Sequence, residues 1–197
     1  MSDSIAGLHA GDALLIVDVQ RDFLPGGALP VPEGDAVIPV LNRCIKEFVF
    51  RGLPVFATRD WHPLNHCSFR SQGGAWPEHC VAGTPGAEIA ERLKLPATAE
   101  VISKATTPEK EAYSGFQGTE LLSRLRARGC GRVFVGGLAT DYCVKCTVLD
   151  ALSNDLAVIV LEDAIRTVDV QPGDGARALA EMIARGAVVA KIENIVA

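Results

Sequence analysis

Cys143 is the residue in this chain whose surroundings most favour chemistry. It stands in RVFVGGLATDYCVKCTVLDAL, from Arg132 to Leu152. Val133, Phe134 and Val135 make the short apolar run of a buried parallel strand. Gly136 and Gly137 allow a sharp backbone turn. Thr140 offers an N-cap, and Val144, Val148, Ala151 and Leu152 recur at helical spacing. The thiol is thus expected in the first turn of a helix just after a strand. Unpaired N–H groups and the positive helix end there favour a thiolate. A nucleophilic cysteine also needs a proton acceptor and a positive charge beside it. Asp18 and Lys104 each close an apolar run and can take those roles as base and cation. Taken singly, each has a plainer reading: a buried inert cysteine, a polar strand terminus, a solvated lysine. Their joint placement favours the catalytic one.

A second cluster lies between them. DWHPLNHCSF runs from Asp60 to Phe69 and WPEHC from Trp76 to Cys80, so three of the four histidines fall close together. Asp60 and His62 share one side of an extended segment, and His79 can return from the loop. One carboxylate and two imidazoles suit a divalent transition metal, Zn²⁺, Fe²⁺ or Mn²⁺. The alternatives are a polar surface loop, or a thiolate-rich zinc site using Cys67 and Cys80, which lack C-x-x-C spacing. Cys143 and Cys146 do have that spacing, the mark of a redox pair, but such a pair leaves Asp18, Lys104 and the histidines unexplained. VDVQRDFLPGG after the first strand does not match the glycine pattern of a dinucleotide-binding turn.

These groups need elements to hold them. Leu14–Val17 reads as strand one, and Val37, Ile38, Leu41, Ile45, Phe48 and Val49 as a helical stripe beginning near Asp35 and closed by Gly52. Pro54–Ala57 is strand two and Glu100–Ser103 strand three. A helix over Thr119–Arg128 precedes strand four and the Cys143 helix. Val158–Leu161 is strand five, Leu179, Met182 and Ile183 mark a last helix, and Val188–Val189 is strand six. The alternation predicts an α/β fold of three layers: a doubly wound, six-stranded, mainly parallel sheet with helices on both faces. Ligands bind beyond the carboxyl ends of such strands, where Asp18, Asp60, His62, Lys104 and Cys143 all fall. In a 3-2-1-4-5-6 order, strands one and four are neighbours and Asp18 lies beside Cys143.

The chain has 197 residues, 48% of them hydrophobic, and a net charge of −5. One domain over residues 1–197 is expected. The acidic balance disfavours nucleic acid or anionic membrane as a partner. No secretory leader or membrane-length apolar run is visible, which predicts a cytoplasmic setting and makes free thiols likelier than disulfides for the six cysteines.

With these residues in hand, the chain closely resembles the nicotinamidase/pyrazinamidase branch of the isochorismatase-like cysteine hydrolases. The matching segments are LLIVDVQRDFLPGGAL, ATRDWHPLNHCSF, WPEHCVAGTPGAE, ISKAT, AYSGFQGTELL and GLATDYCVKCTVLDAL, covering about Leu14 to Asp150. Isochorismatases proper lack the nucleophilic cysteine, so Cys143 points to an amidase. The resemblance implies that Cys143 attacks a carboxamide, Asp18 moves the proton, and Lys104 supports the ion pair. It implies that the Leu138–Ala139 peptide is cis and that the N–H groups of Ala139 and Cys143 form the oxyanion hole. It implies a metal on Asp60, His62 and His79 that holds the pyridine nitrogen or a water; a further metal-sphere residue varies within the family, and His66, a candidate for it whose partner could equally be the loop backbone or solvent, is left out of the ligand set. Phe23 and Trp76 match the aromatic walls of the ring pocket, and Tyr113 a further pocket residue. The expected reaction is nicotinamide to nicotinate and ammonia, in NAD salvage, with pyrazinamide-type amides also accepted. N-carbamoylsarcosine and ureidoacrylate hydrolases are the alternatives on the same scaffold, and self-association is left open.

Overall fold

The computed structural model describes residues 7–195. Six parallel strands, β1 (Asp12–Val17), β2 (Val55–Asp60), β3 (Glu100–Lys104), β4 (Arg132–Leu138), β5 (Ala157–Arg166) and β6 (Val188–Ala190), lie in the order β3-β2-β1-β4-β5-β6. This is the doubly wound order expected, with β1 and β4 side by side at the switch point. All six residues of β1 are buried, as a central strand covered on both faces must be.

Helix α1 (Val37–Phe50) covers one face of the sheet, packing Leu41, Ile45 and Phe48 against Leu14, Ile16, Phe134 and Ile159. Helices α2 (Leu121–Ala127), α3 (Lys145–Ser153) and α4 (Asp174–Ala184) cover the other, where Leu125, Val148 and Met182 meet Leu15, Val133 and Val158. Two positions of the apolar stripes fall outside. Val49 of α1 is 47% exposed while Cys44 takes an inward position, and Ile183 of α4 is 49% exposed while Ala178 packs inward. Gly52 follows the α1 C-cap residue Arg51 with φ +68°, the left-handed turn that glycine accepts without a Cβ clash.

Gly136 and Gly137 are not a turn, as the sequence suggested. Both are strand residues of β4; a Cβ on Gly136 would press on Leu41 of α1 and Ala164 of β5, while at Gly137 what demands glycine is the nearness of β1. A Cβ on Gly137, at φ +129°, would stand 2.0 Å from the Val17 carbonyl oxygen. Thr140 is likewise not the N-cap. Ala139 holds that position, its carbonyl accepting the N–H groups of Tyr142 and Val144. No helix among the described residues is long and apolar enough to cross a membrane. All six cysteines are free.

Candidate active site and metal centre

Three strand ends converge. Asp18 follows the last residue of β1 with φ +50°, a left-handed conformation that costs a non-glycine residue energy and recurs at functional sites. Its Oδ1 accepts the Thr58 hydroxyl at 2.7 Å. Lys104 is the final residue of β3 and pairs in register with Asp60 at the end of β2. The Lys104 ammonium is buried and reaches Asp60 Oδ1 at 2.5 Å, Asp18 Oδ2 at 2.9 Å, the Ala112 carbonyl at 3.0 Å and Cys143 Sγ at 3.5 Å. The Asp18 contact is an ion pair lying off the hydrogen-bonding direction, so Oδ2 has no hydrogen bond. After β4 the Leu138–Ala139 peptide is cis, and the chain enters one π-helical turn, Thr140–Val144, that continues into α3. Wide turns of this kind recur at functional sites. Cys143 lies within it, buried, with its Sγ and the Asp18 and Asp60 carboxylates within 4.8 Å of one another.

The electrostatics correct one expectation. Burial pushes the Cys143 thiol well above its ordinary pKa; Lys104 opposes this, while Asp18 and Asp60 add to it. Two carboxylates and the loss of water thus act against the thiolate that one ammonium and a helix end favour. Burial also raises Asp18, against the pull of Lys104. Asp60 goes the other way: burial would raise it, but Lys104 and the neighbouring His62 ring hold it below the carboxylate range. Lys104, disfavoured by burial, is held charged by Asp18 and Asp60.

Asp60, His62 and His79 are all buried and present ligand atoms within 4.8 Å of one another, a candidate metal-binding triad. The His62 ring has hydrogen-bond partners at neither nitrogen, and a buried orphan of that kind fits a missing cation. His79 Nδ1 faces the Pro77 carbonyl at 2.8 Å and must donate to it, leaving Nε2 as the ligating lone pair. Burial lowers the His79 pKa, which keeps that lone pair free of a proton. His66 is different. Its Nε2 must donate to the Lys110 carbonyl at 3.0 Å, so Nδ1 accepts from Ser68 Oγ at 2.7 Å. Both nitrogens are in use, and His66 stacks on His62 with ring centroids 4.2 Å apart.

Between thiol and triad lies a pocket lined by Phe23, Trp76, Tyr113, Tyr142, Leu138 and Ala139 together with Asp60, His79 and Cys143. Trp76 Nε1 donates to the Tyr113 hydroxyl at 3.0 Å. Every site residue expected from the sequence is thus brought to one strand edge. Three contributors were not foreseen. Tyr142 stands edge-on to Trp76 with centroids 5.1 Å apart. Thr58 anchors Asp18. Gln20 clamps the Asp60 backbone, accepting its N–H at 2.7 Å and donating to its carbonyl at 2.7 Å. Gln20 and Thr58 sit two residues from Asp18 and Asp60 respectively, a period-two hint of shared direction that only the fold makes legible.

Comparison with known proteins agrees with this geometry. The Escherichia coli nicotinamidase is 45% identical over 89% of this chain and 92% of its own length. A pyrazinamidase of Pyrococcus horikoshii, solved in complex with zinc, is 54% identical, covers 92% of this chain and 99% of its own, and superposes with a TM-score of 0.88. A protein from L. infantum solved in complex with nicotinate is 38% identical, with 97% and 98% covered and a TM-score of 0.90. The isochorismatase domain model matches residues 12–194, and the chain belongs to that family.

Proposed function

We propose that the chain is a nicotinamidase, a cysteine amidohydrolase that converts nicotinamide to nicotinate and ammonia and also accepts pyrazinamide-type amides. The observation that carries this reading is one pocket bordered on one side by Cys143 and on the other by Asp60 and His79, with Lys104 joining the two sides. A pyridine carboxamide has a reactive carbonyl at one end and a ring nitrogen at the other, matching those two borders.

In this reading Cys143 Sγ attacks the carboxamide carbon as Asp18 takes the thiol proton. Burial raises the thiol pKa, so a positioned base beside it is needed to take that proton. The Ala139 and Cys143 N–H groups receive the developing oxyanion. Asp18 returns the proton to the leaving nitrogen, the C–N bond breaks and ammonia departs, leaving an acyl thioester. Water then attacks the thioester, Asp18 accepts its proton, and the C–S bond breaks to restore the thiol and give the acid. Lys104 holds the carboxylate in place and balances charge throughout. Phe23 and Trp76 stack on the ring, with Tyr113 positioning Trp76. Asp60, His62 and His79 would hold one divalent transition metal, which supplies a Lewis-acidic contact able to recognise the pyridine nitrogen. The donor set suits Zn²⁺, Fe²⁺ and Mn²⁺ alike, and the Pyrococcus complex favours zinc among them. The substrate is a small molecule; the reading needs no nucleic acid or membrane.

Ammonia release over a small amide panel, with and without a chelator, tests the proposal. Rapid release from nicotinamide that the chelator suppresses is expected. Turnover of N-carbamoylsarcosine or ureidoacrylate in its place would assign the chain to a related amidase.

A further inference from the structure

Asp60 turns its two carboxylate oxygens toward two different cation positions. Oδ2 lies 3.7 Å from His62 Nε2, on the side of the triad. Oδ1 receives the Lys104 ammonium. On that second side, Asp18, Asp60 and Cys143 also offer three buried ligand atoms within 4.8 Å of one another. Two carboxylates and a sulfur are a competent donor set for a divalent metal, and Asp18 Oδ2 is buried there without a hydrogen bond. What fills the position is Lys104 Nζ, which touches all three residues.

We propose that Lys104 is a tethered cation that excludes divalent metal from the nucleophile and confines it to Asp60, His62 and His79. A thiolate binds zinc-like ions strongly. Metal seated between Asp18 and Cys143 would release the thiol proton to solvent and tie up the sulfur lone pair. It would also occupy the carboxylate that must accept a proton, so base and nucleophile would be lost together. An ammonium supplies the same positive charge at the same place but only donates a hydrogen bond to sulfur and leaves its lone pairs uncoordinated. The enzyme therefore keeps a transition metal beside a cysteine without the two combining. The inference rests on the triad reading only for the identity of the first metal position.

Titration of metal-free protein with Co²⁺ tests it, because a cobalt–thiolate bond produces a near-ultraviolet charge-transfer band that nitrogen and oxygen ligands do not. Wild-type protein is expected to take one cobalt per chain and to show no such band in excess cobalt. Lys104→Met is expected to take a second cobalt and show the band, and Lys104→Met/Cys143→Ser to lose it. Without the ammonium, two buried carboxylates repel, so Lys104→Met should melt lower than wild type and recover on cobalt addition. Lys104→Gln, which keeps donors for Asp60 and Ala112, runs in parallel so that a folding defect in one variant does not decide the matter. A band in wild type that Cys143→Ser removes would overturn the proposal, and so would folded Lys104 variants that never show one. A wild type that binds no cobalt at all would instead refute the triad, leaving the Lys104 arms to be read separately.

Discussion

Thr58→Val isolates the proton acceptor from every other part of the site. Valine keeps the buried shape and removes only the hydroxyl that donates to Asp18 Oδ1 at 2.7 Å. Burial already raises the Asp18 pKa above that of an ordinary carboxylate; Lys104 pulls it down, and so does the Thr58 hydrogen bond. Losing that bond must therefore raise it further. A hydrogen bond to a charged group contributes about 1.5–3 kcal/mol, equivalent to roughly one to two pKa units. With Asp18 as the proposed base, activity is lost as pH falls through its pKa, and the acid limb should move to higher pH by about that amount. The assay is kcat/KM for ammonia release from nicotinamide across the acid range, with metal content measured at each pH. The plateau above the limb should change little, because the base is fully ionised there in both proteins. An acid limb that stays put, or moves to lower pH, would refute the assignment of Asp18 as the base.

The other outcomes concern the remaining groups. Asp18→Asn should lower kcat by about 10²–10⁴, the usual worth of a general base, whereas a change under threefold would remove Asp18 from the mechanism. Cys143→Ala should abolish turnover while Cys146→Ala, one helical turn on, should retain most of it; equal losses in the ammonia assay would favour a dithiol. His62→Ala and His79→Ala should each lose metal by elemental analysis, and because burial lowers the His79 pKa, wild-type occupancy should persist below the pH at which an ordinary imidazole protonates. Benzamide, lacking the ring nitrogen, should fall short of nicotinamide by at least about 10² in kcat/KM, or roughly 2.7 kcal/mol. Comparable values would mean that nothing in the pocket reads that nitrogen.

Much of this arrangement is written in residue order, because each apolar run ends on a polar residue and the ends of parallel strands share one edge. Asp18, Asp60, Lys104 and Cys143 could be placed together on that ground alone. The strands themselves extend further than their apolar runs: β2 continues through Arg59 and Asp60, and β5 through Glu162 and Asp163, because backbone pairing does not require an apolar side chain at every position. The role of Gly137 was hidden for a different reason. Its need for glycine comes from the carbonyl of Val17, far away in sequence and adjacent only once β1 and β4 pair. The forces acting on the Cys143 thiol were hidden too, since a helix end is visible in sequence but the desolvation and the two carboxylates that oppose it are not. Tyr142 carries no spacing signal of its own, and Gln20 only its period-two offset from Asp18. Their contacts, to Trp76 and to the Asp60 backbone, arise from loops folding over the strand edge.

The central claim is that Cys143 carries the acyl group of a pyridine carboxamide between ammonia release and hydrolysis. Intact-mass measurement of protein quenched in acid during turnover of nicotinamide, followed by peptide mapping, tests it directly. A nicotinoyl adduct on Cys143 is expected, formed with ammonia release and decaying as nicotinate appears. Ammonia release with the adduct on Cys146, or undiminished turnover in Cys143→Ala, would contradict it.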